Sequence, residues 1–203
     1  MKRSLVCAFA AAVFLVAGAR PASAQGAGPV SFGISGGADF PVQDQADVYK
    51  TGWNGTAILM FGFGPSPVGL RVDGSYHELR TSDEVDAFFN DSNTRIISGT
   101  VDLVVGPRNL LVEPYFVGGV GVYDLRFKGQ EITSGNAFSS STTRFGYNLG
   151  GGLSFPMGRG SRTRIFVEAR YTSISLNGDR FRDSINRGGN RFTMVPVNLG
   201  FMF

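Results

Sequence analysis

The sequence predicts an all-β fold, an eight-stranded antiparallel barrel that crosses a membrane as an up-and-down meander behind a cleaved leader. Three observations predict it. Alternate residues are apolar or glycine in eight separate runs, the period of strands with two unlike faces. Each apolar stripe runs 9 to 11 residues without a charge, and a tilted strand needs ~9–11 residues to cross a bilayer. The connections between runs alternate between short and long, as in barrels with tight turns on one rim and loops on the other.

The leader comes first. Lys2 and Arg3 precede the 15-residue apolar run LVCAFAAAVFLVAGA, and Pro21 and Ala22-Ser23-Ala24 follow it before Gln25. That order is a secretory signal peptide with cleavage between Ala24 and Gln25, and the run is too short for a spanning helix. Residues 1–24 are therefore expected to be the signal and 25–203 one barrel domain. The signal carries Lys2, Arg3 and Arg20 and no acid, so the chain's 19 basic and 16 acidic residues become 16 and 16. A neutral mature chain offers no basic footprint for nucleic acid. Cys7, the only cysteine, leaves with the signal, which fits an exported protein without disulfides. Glycine, at 29 of 203 residues without a G-X-Y period, accompanies 18 phenylalanines, a composition of sheet rather than of collagen or surface helices.

The runs follow in order. The first, 32–40, places Phe32, Ile34, Ala38 and Phe40 on one face, and the second, 55–63, places Ala57, Leu59, Phe61 and Phe63. The third, 68–76, carries Val68, Leu70, Val72 and Tyr76, and the fourth, 97–105, Ile97, Val101, Leu103 and Val105. The fifth, 112–122, and sixth, 145–155, hold Phe116, Val120 and Val122, then Phe145, Tyr147, Leu149 and Leu153. The seventh is 165–173. The eighth, 195–203, ends the sequence on Val195, Val197, Leu199, Phe201 and Phe203. Between them, 64–67, 107–111 and 156–164 are short turns, while 41–54, 77–96, 123–144 and 174–194 are longer and polar.

Period two alone does not say which face meets solvent. Charges return to the apolar face only past the stripes, at Glu78, Arg80, Arg95, Asp124 and Arg126. Lipid selects that distribution, because Arg or Lys at the midplane costs roughly 2–4 kcal/mol and much less at the interface. The opposite face carries small residues and charges of both signs and, within the eight runs, no lysine, which suits a narrow lumen.

PYFVGGVGVY at 114–123, FGYNLGGGLSF at 145–155, IFVEARY at 165–171 and the end LGFMF carry a resemblance. In order and spacing the mature chain resembles the small outer-membrane β-barrel family of the OmpA and OmpX type. The resemblance implies residence in the outer membrane of a Gram-negative-type bacterium, contact with its lipid and lipopolysaccharide, and a monomer. It also implies that Val195, Val197, Leu199, Phe201 and Phe203 form a C-terminal signal for the barrel-assembly machinery, with Asn198 where that signal often has glycine. The wall-anchoring role of OmpA is not expected to carry over, since no peptidoglycan-binding segment follows the barrel in this sequence.

By parity Arg71, Asp73, Asp102, Glu113, Arg144, Glu168 and Arg170 point inward. They read either as a selectivity ring in a pore or as a paired network that fills a lumen only as wide as its side chains. His77, the only histidine, shares a face with Ser75 near the outer rim. Such a pair where lipid meets water is compatible with a lipid-A acyl hydrolase, although no third, acidic partner is evident from spacing. The glycine clusters lie within strands and lead into no helix, so they do not read as phosphate loops, and no metal or cofactor motif is present.

Among the loops, Asp83, Glu84, Asp86 and Asp91 make one acidic and Arg180, Arg182, Arg187 and Arg191 make another basic. Arginines there suit lipopolysaccharide phosphates and the acids suit shared divalent cations. Phe88 and Phe89 at a loop tip fit contact with an extracellular ligand or with the barrel wall. The function expected is a non-enzymatic envelope protein acting in membrane integrity or surface interaction, with a narrow pore and an acyl hydrolase as rival readings.

Overall fold

A computed structural model describes residues 30–43, 46, 49–63, 66–80, 89–107, 110–131, 137–158, 163–176 and 191–203; for 89–93, 127–131 and 137–140 it describes the backbone alone. The expected signal and its Ala24/Gln25 cleavage point lie outside the described residues. So do Asp83, Glu84, Asp86, Phe88, Arg180, Arg182 and Arg187, and the side chains of Phe89 and Asp91.

Eight strands form one closed antiparallel barrel in sequence order: β1 (Val30–Pro41), β2 (Gly52–Gly62), β3 (Val68–Arg80), β4 (Phe89–Val105), β5 (Glu113–Glu131), β6 (Ala137–Pro156), β7 (Arg164–Ser175) and β8 (Arg191–Met202). Closure joins β1 to β8 from the rung Gly33↔Met202 to Pro41↔Met194. The ladder continues past the last strand residue. Phe203 donates its amide to the Phe32 carbonyl at 2.6 Å and accepts from the Phe32 amide at 3.2 Å. Closure leaves no strand edge in the wall, which lipid demands because it offers no hydrogen bonds to stray backbone groups.

The outer wall is apolar and bare. Phe116 and Phe145 are 75% and 77% exposed, and Ile34, Val120, Leu149 and Leu199 also lie open. Contiguous apolar exposure on that scale is untenable in water, so lipid is the solvent of this face. Aromatic residues gather at both ends of the band: Phe32, Phe63, Phe155, Phe201 and Phe203 toward the short-turn rim, and Phe40, Trp53, Tyr76 and Tyr171 toward the other. Girdles of aromatic residues flank the apolar band of such barrels, and Trp53, Tyr76 and Tyr171 in the long-loop girdle have rings that are apolar in body and polar at one edge.

The short turns join β2 to β3, β4 to β5 and β6 to β7. Ser66 closes the first of them, donating its amide to the Phe63 carbonyl at 3.1 Å and accepting the Val68 amide on Oγ at 3.2 Å. At the opposite rim the structure corrects the sequence reading. Much of the stretches 77–96 and 123–144, expected as loops, is strand: β3 runs to Arg80, β4 starts at Phe89, and the β5–β6 ladder reaches Gln130↔Ala137. Above the lipid no apolar outer face is required, so the Ser-Ser-Ser-Thr-Thr segment 139–143 pairs without an apolar stripe and reads as loop in a polarity pattern. The β6–β7 ladder stops at Gly146↔Ile174, while β5 and β6 stay paired as far as Ala137. From Gly146 to Ala137 that pair runs on for about 31 Å along the strand, at ~3.4 Å per residue.

Glycines on the inner face of β6 make room for aromatic side chains of β5. A Cβ on Gly152 would sit 2.6 Å from the Tyr115 hydroxyl and ring, and one on Gly146 would sit 2.8 Å from the Tyr123 ring. Glycine thereby lets each ring lie flat across the neighbouring strand, an arrangement that also shields the bare glycine backbone.

Candidate functional site: the lumen and its outer rim

The interior is stacked in levels. At the short-turn mouth, Met60, Val104, Tyr115, Phe166 and Met202 surround a cavity of about 80 Å³. Glu113 lies at this mouth, 2.9 Å from Nη1 of Arg164. This pair lies at the mouth, apart from the hydrogen bonds of the central level described next.

The central level is ionic. Arg170 on β7 donates Nε to Glu168 Oε1 at 2.6 Å, Nη2 to Asp73 Oδ2 at 2.8 Å and Nη1 to Asp102 Oδ2 at 3.2 Å. Arg71 on β3 donates Nε to Asp73 Oδ1 at 2.8 Å and Nη1 to Glu168 Oε2 at 2.7 Å. Neutral donors fill remaining acceptor positions: the Tyr115 hydroxyl on Glu168 Oε2 at 2.8 Å, the Thr100 hydroxyl on Asp102 Oδ2 at 2.7 Å and Asn148 Nδ2 on Asp102 Oδ1 at 2.7 Å. The Arg71 guanidinium also lies 5.7 Å from the Phe166 ring centroid. All five charged residues are buried, a condition charges tolerate only when paired and hydrogen-bonded. Arg144 sits on the inner face of β6, half-buried, and is not one of the five.

A smaller polar level follows. His77 Nδ1 lies 2.9 Å from Asp39 Oδ2, and Asp39 Oδ1 accepts Asn54 Nδ2 at 2.8 Å. Ser75 Oγ lies 2.9 Å from Thr56 Oγ1. A cavity of about 30 Å³ lies beside Thr56, Ser75, His77, Asn148 and Arg170, room for roughly one water. Here the structure changes two expectations. The acidic partner that spacing does not reveal is Asp39, brought to His77 by the β1–β2–β3 ladders. Ser75 and His77 face the lumen, where His77 is 5% exposed, and lipid runs along the other side of the wall. A lipid-facing nucleophile is therefore missing from this geometry. Among the described residues no group of acids, histidines or cysteines is placed to hold a metal.

The sequence reading does not contain the last level. Leu79, Ile96, Leu125, Ile174, Phe192 and Met194 fill the lumen toward the long-loop rim, with Tyr123 below and Leu176 beside them. Tyr49, from the β1–β2 connection, folds over this cluster and meets the Phe192 ring edge-on at 5.6 Å between centroids. Burial raises the pKa of its phenol because the phenolate would be desolvated. The signal is present in the sequence as a breakdown of alternation, with Ile96-Ile97 apolar on both faces.

The C-terminal residues Val197, Leu199, Phe201 and Phe203 lie on the lipid wall, with Val195 half-buried above them. Arg191 stands exposed at the start of β8. On the outer face below the rim, the rings of Trp53 and Tyr76 meet at a tilt, 5.4 Å between centroids; Asp124 shares the row of Tyr76, and Glu78, Arg95 and Arg126 stand in the row above.

The chain matches the outer membrane protein beta-barrel domain over residues 8–203. Among solved structures it is similar to Neisserial surface protein A, with a TM-score of 0.58 at 13% identity over 88% of this chain and 98% of that one. A major outer membrane protein from Thermus thermophilus gives 0.58 at 15% identity over 86% and 98%. The attachment invasion locus protein of Yersinia pestis gives 0.46 at 19% identity over 88% and 99%. No curated protein matches the chain.

Proposed function

Since the chain belongs to the outer membrane protein beta-barrel domain family, we propose that it is a non-enzymatic, non-conducting barrel of the bacterial outer membrane whose work is done on the cell surface. The filled lumen carries this reading. Ion pairs occupy the centre and an apolar plug occupies the outer end, so among the described residues no selectivity ring faces water. What the protein can offer a partner lies outside, on the raised β4–β6 strands and the loops.

In this reading the short turns lie in the periplasm, the signal is cleaved between Ala24 and Gln25, and the chain is a monomer inserted by the barrel-assembly machinery. That machinery reads Val195, Val197, Leu199, Phe201 and Phe203. Lipid and lipopolysaccharide surround the wall, and an extracellular ligand meets the loops. The Ser75/His77 hydrolase finds no support, because neither side chain meets lipid.

The test joins two measurements on the folded protein. In planar bilayers it should show no discrete conductance steps; regular steps would restore the pore. On cells, replacing residues 127–140 with an Asn-Gly turn should abolish surface binding while the heat-dependent gel shift of a folded barrel persists. Retained binding would move the function away from the raised strands.

A further inference from the structure

The outer wall changes from apolar to charged within two rungs above the Trp53–Tyr76 pair. Register places Glu78, Arg95, Arg126 and Ser141 in one row across β3 to β6, with Tyr76, Ile97, Asp124 and Thr143 in the row below. Arg95 and Arg126 are therefore direct cross-strand neighbours on one face, a like-charge pairing that repels unless something lies between. Their side chains remain 41% and 46% exposed.

The acids beside them do not use up their donors. Asp124 Oδ2 accepts both Nε and Nη2 of Arg126, at 3.1 and 3.0 Å, and Nη1 takes no part in that pair. Arg95 Nε is 3.9 Å from Glu78 Oε2, beyond hydrogen-bond reach, and that nitrogen is buried without an acceptor. Glu78 Oε2 already accepts the Tyr76 hydroxyl at 2.9 Å. Two guanidinium groups side by side, with unused donors, have the geometry for an oxyanion gripped by forked hydrogen bonds.

The surroundings specify what carries the anion. Directly beneath, Ile97, Val122 and Phe145 are bare apolar wall, and two strand residues span only about 6.7 Å. A ligand that fits is negatively charged at one end and aliphatic at the other. We propose that Arg95 and Arg126 clamp the phosphate of a phosphorylated lipid headgroup of the outer leaflet, whose acyl chains run down the wall of β4 to β6. The site rests on the orientation given above, with the long-loop rim outside the cell.

The experiment uses the folded full barrel in detergent micelles, native mass spectrometry, and two probes: diphosphoryl lipid A and the same lipid with its phosphates removed. The wild type should retain the phosphorylated form preferentially. Arg95→Gln/Arg126→Gln should cut that preference by about tenfold or more, the loss expected for charge-assisted bonds, and leave the dephosphorylated form unaffected. Arg126→Gln alone provides a milder variant should the pair fold poorly, and the gel shift on heating reports folding. Arg191→Gln, on the opposite wall, should change nothing.

An unchanged preference in either folded variant overturns the proposal, as does an equal loss in Arg191→Gln. Inorganic phosphate bound through the same two arginines, with no lipid retained, overturns the assignment to lipid. Thr143→Cys, labelled in whole cells by a membrane-impermeant thiol reagent, tests the orientation separately. Labelling with no loss of lipid in the variants sinks the clamp alone; no labelling sinks the orientation beneath it.

Discussion

Replacing Arg170 with methionine keeps an unbranched side chain as far as the position of Nε and removes the cation that joins three carboxylates. In the wild type two guanidinium groups face Asp73, Asp102 and Glu168; in the variant Arg71 alone faces them. Each charge-assisted hydrogen bond is worth about 1.5–3 kcal/mol, and Arg170 makes three, but simple addition overstates the loss. Asp102 keeps Thr100 and Asn148, and the cavity of about 30 Å³ beside the site can admit water to the stranded acids. The expected cost is then about 3–5 kcal/mol, that of breaking a buried pair by removing one partner. Urea titration in lipid vesicles, followed by Trp53 fluorescence and the heat-dependent gel shift, measures it; Trp53 is the only tryptophan. Asp102→Asn should harm the wild type, yet recover about 1–2 kcal/mol on the Arg170→Met background by removing an excess negative charge. A cost for Arg170→Met below about 1 kcal/mol, or strictly additive effects in the double variant, would refute a core held together by charge pairing.

The other predictions concern the walls of that core. Gly152→Ala should destabilise by about 1–3 kcal/mol, the range for overpacking, because its Cβ would meet the Val167 carbonyl oxygen at 2.5 Å and the Tyr115 ring at 2.6 Å; Tyr115→Leu in the same chain should relieve only part of the loss in urea titration, since the backbone contact remains. Leu125→Ala, at a site with 0% exposure in the apolar plug, should cost about 2–5 kcal/mol in the same titration. Val120→Arg, on the lipid face, should cost about 2–4 kcal/mol, whereas Thr143→Arg at the rim should cost about 0–1; equal costs would mean that the wall is not in a bilayer. Deleting Phe203 removes two backbone hydrogen bonds to Phe32, and should lower the folded fraction on gels more than Phe203→Leu does.

Strand placement is legible because lipid imposes it. Within the bilayer the outer face must be apolar, so the run 68–76 locates β3 and the run 165–173 locates β7, short only at their ends. Where lipid ends, the constraint ends. Ser139 to Thr143 carry no apolar stripe, and so the upward continuation of β5 and β6 is hidden. Inside the barrel, parity puts Arg71 and Glu168 on the same side of the wall but says nothing of their level. They lie 97 residues apart, and what brings them within 2.7 Å is barrel closure, to which no local pattern refers. Glu113 shows the same limit: its inward parity is compatible with either level, and the short turn brings it to Arg164 at the mouth. Asp39 is hidden as a partner of His77 for the same reason, since the contact crosses two ladders.

The interior then does something that the wall cannot. An apolar stripe read by lipid is unchanged when a strand slides by two residues, because the period is two and the stripe is nearly uniform. Such a slide moves every side chain about 6.7 Å along the barrel. The contacts of Arg170 do not survive it: from β7 this one side chain reaches Asp73 on β3 and Asp102 on β4, each within 3.2 Å. Glu168 reaches back to Arg71 on β3, and a slide would carry Tyr115 and Tyr123 off Gly152 and Gly146. A sliding strand would leave charges unpaired in a dry interior, at a cost of several kcal/mol each, while the lipid face recorded almost no change. Selection of one register therefore rests with the lumen, and the outward face is left free to meet lipid and, at its charged rim, lipid headgroups.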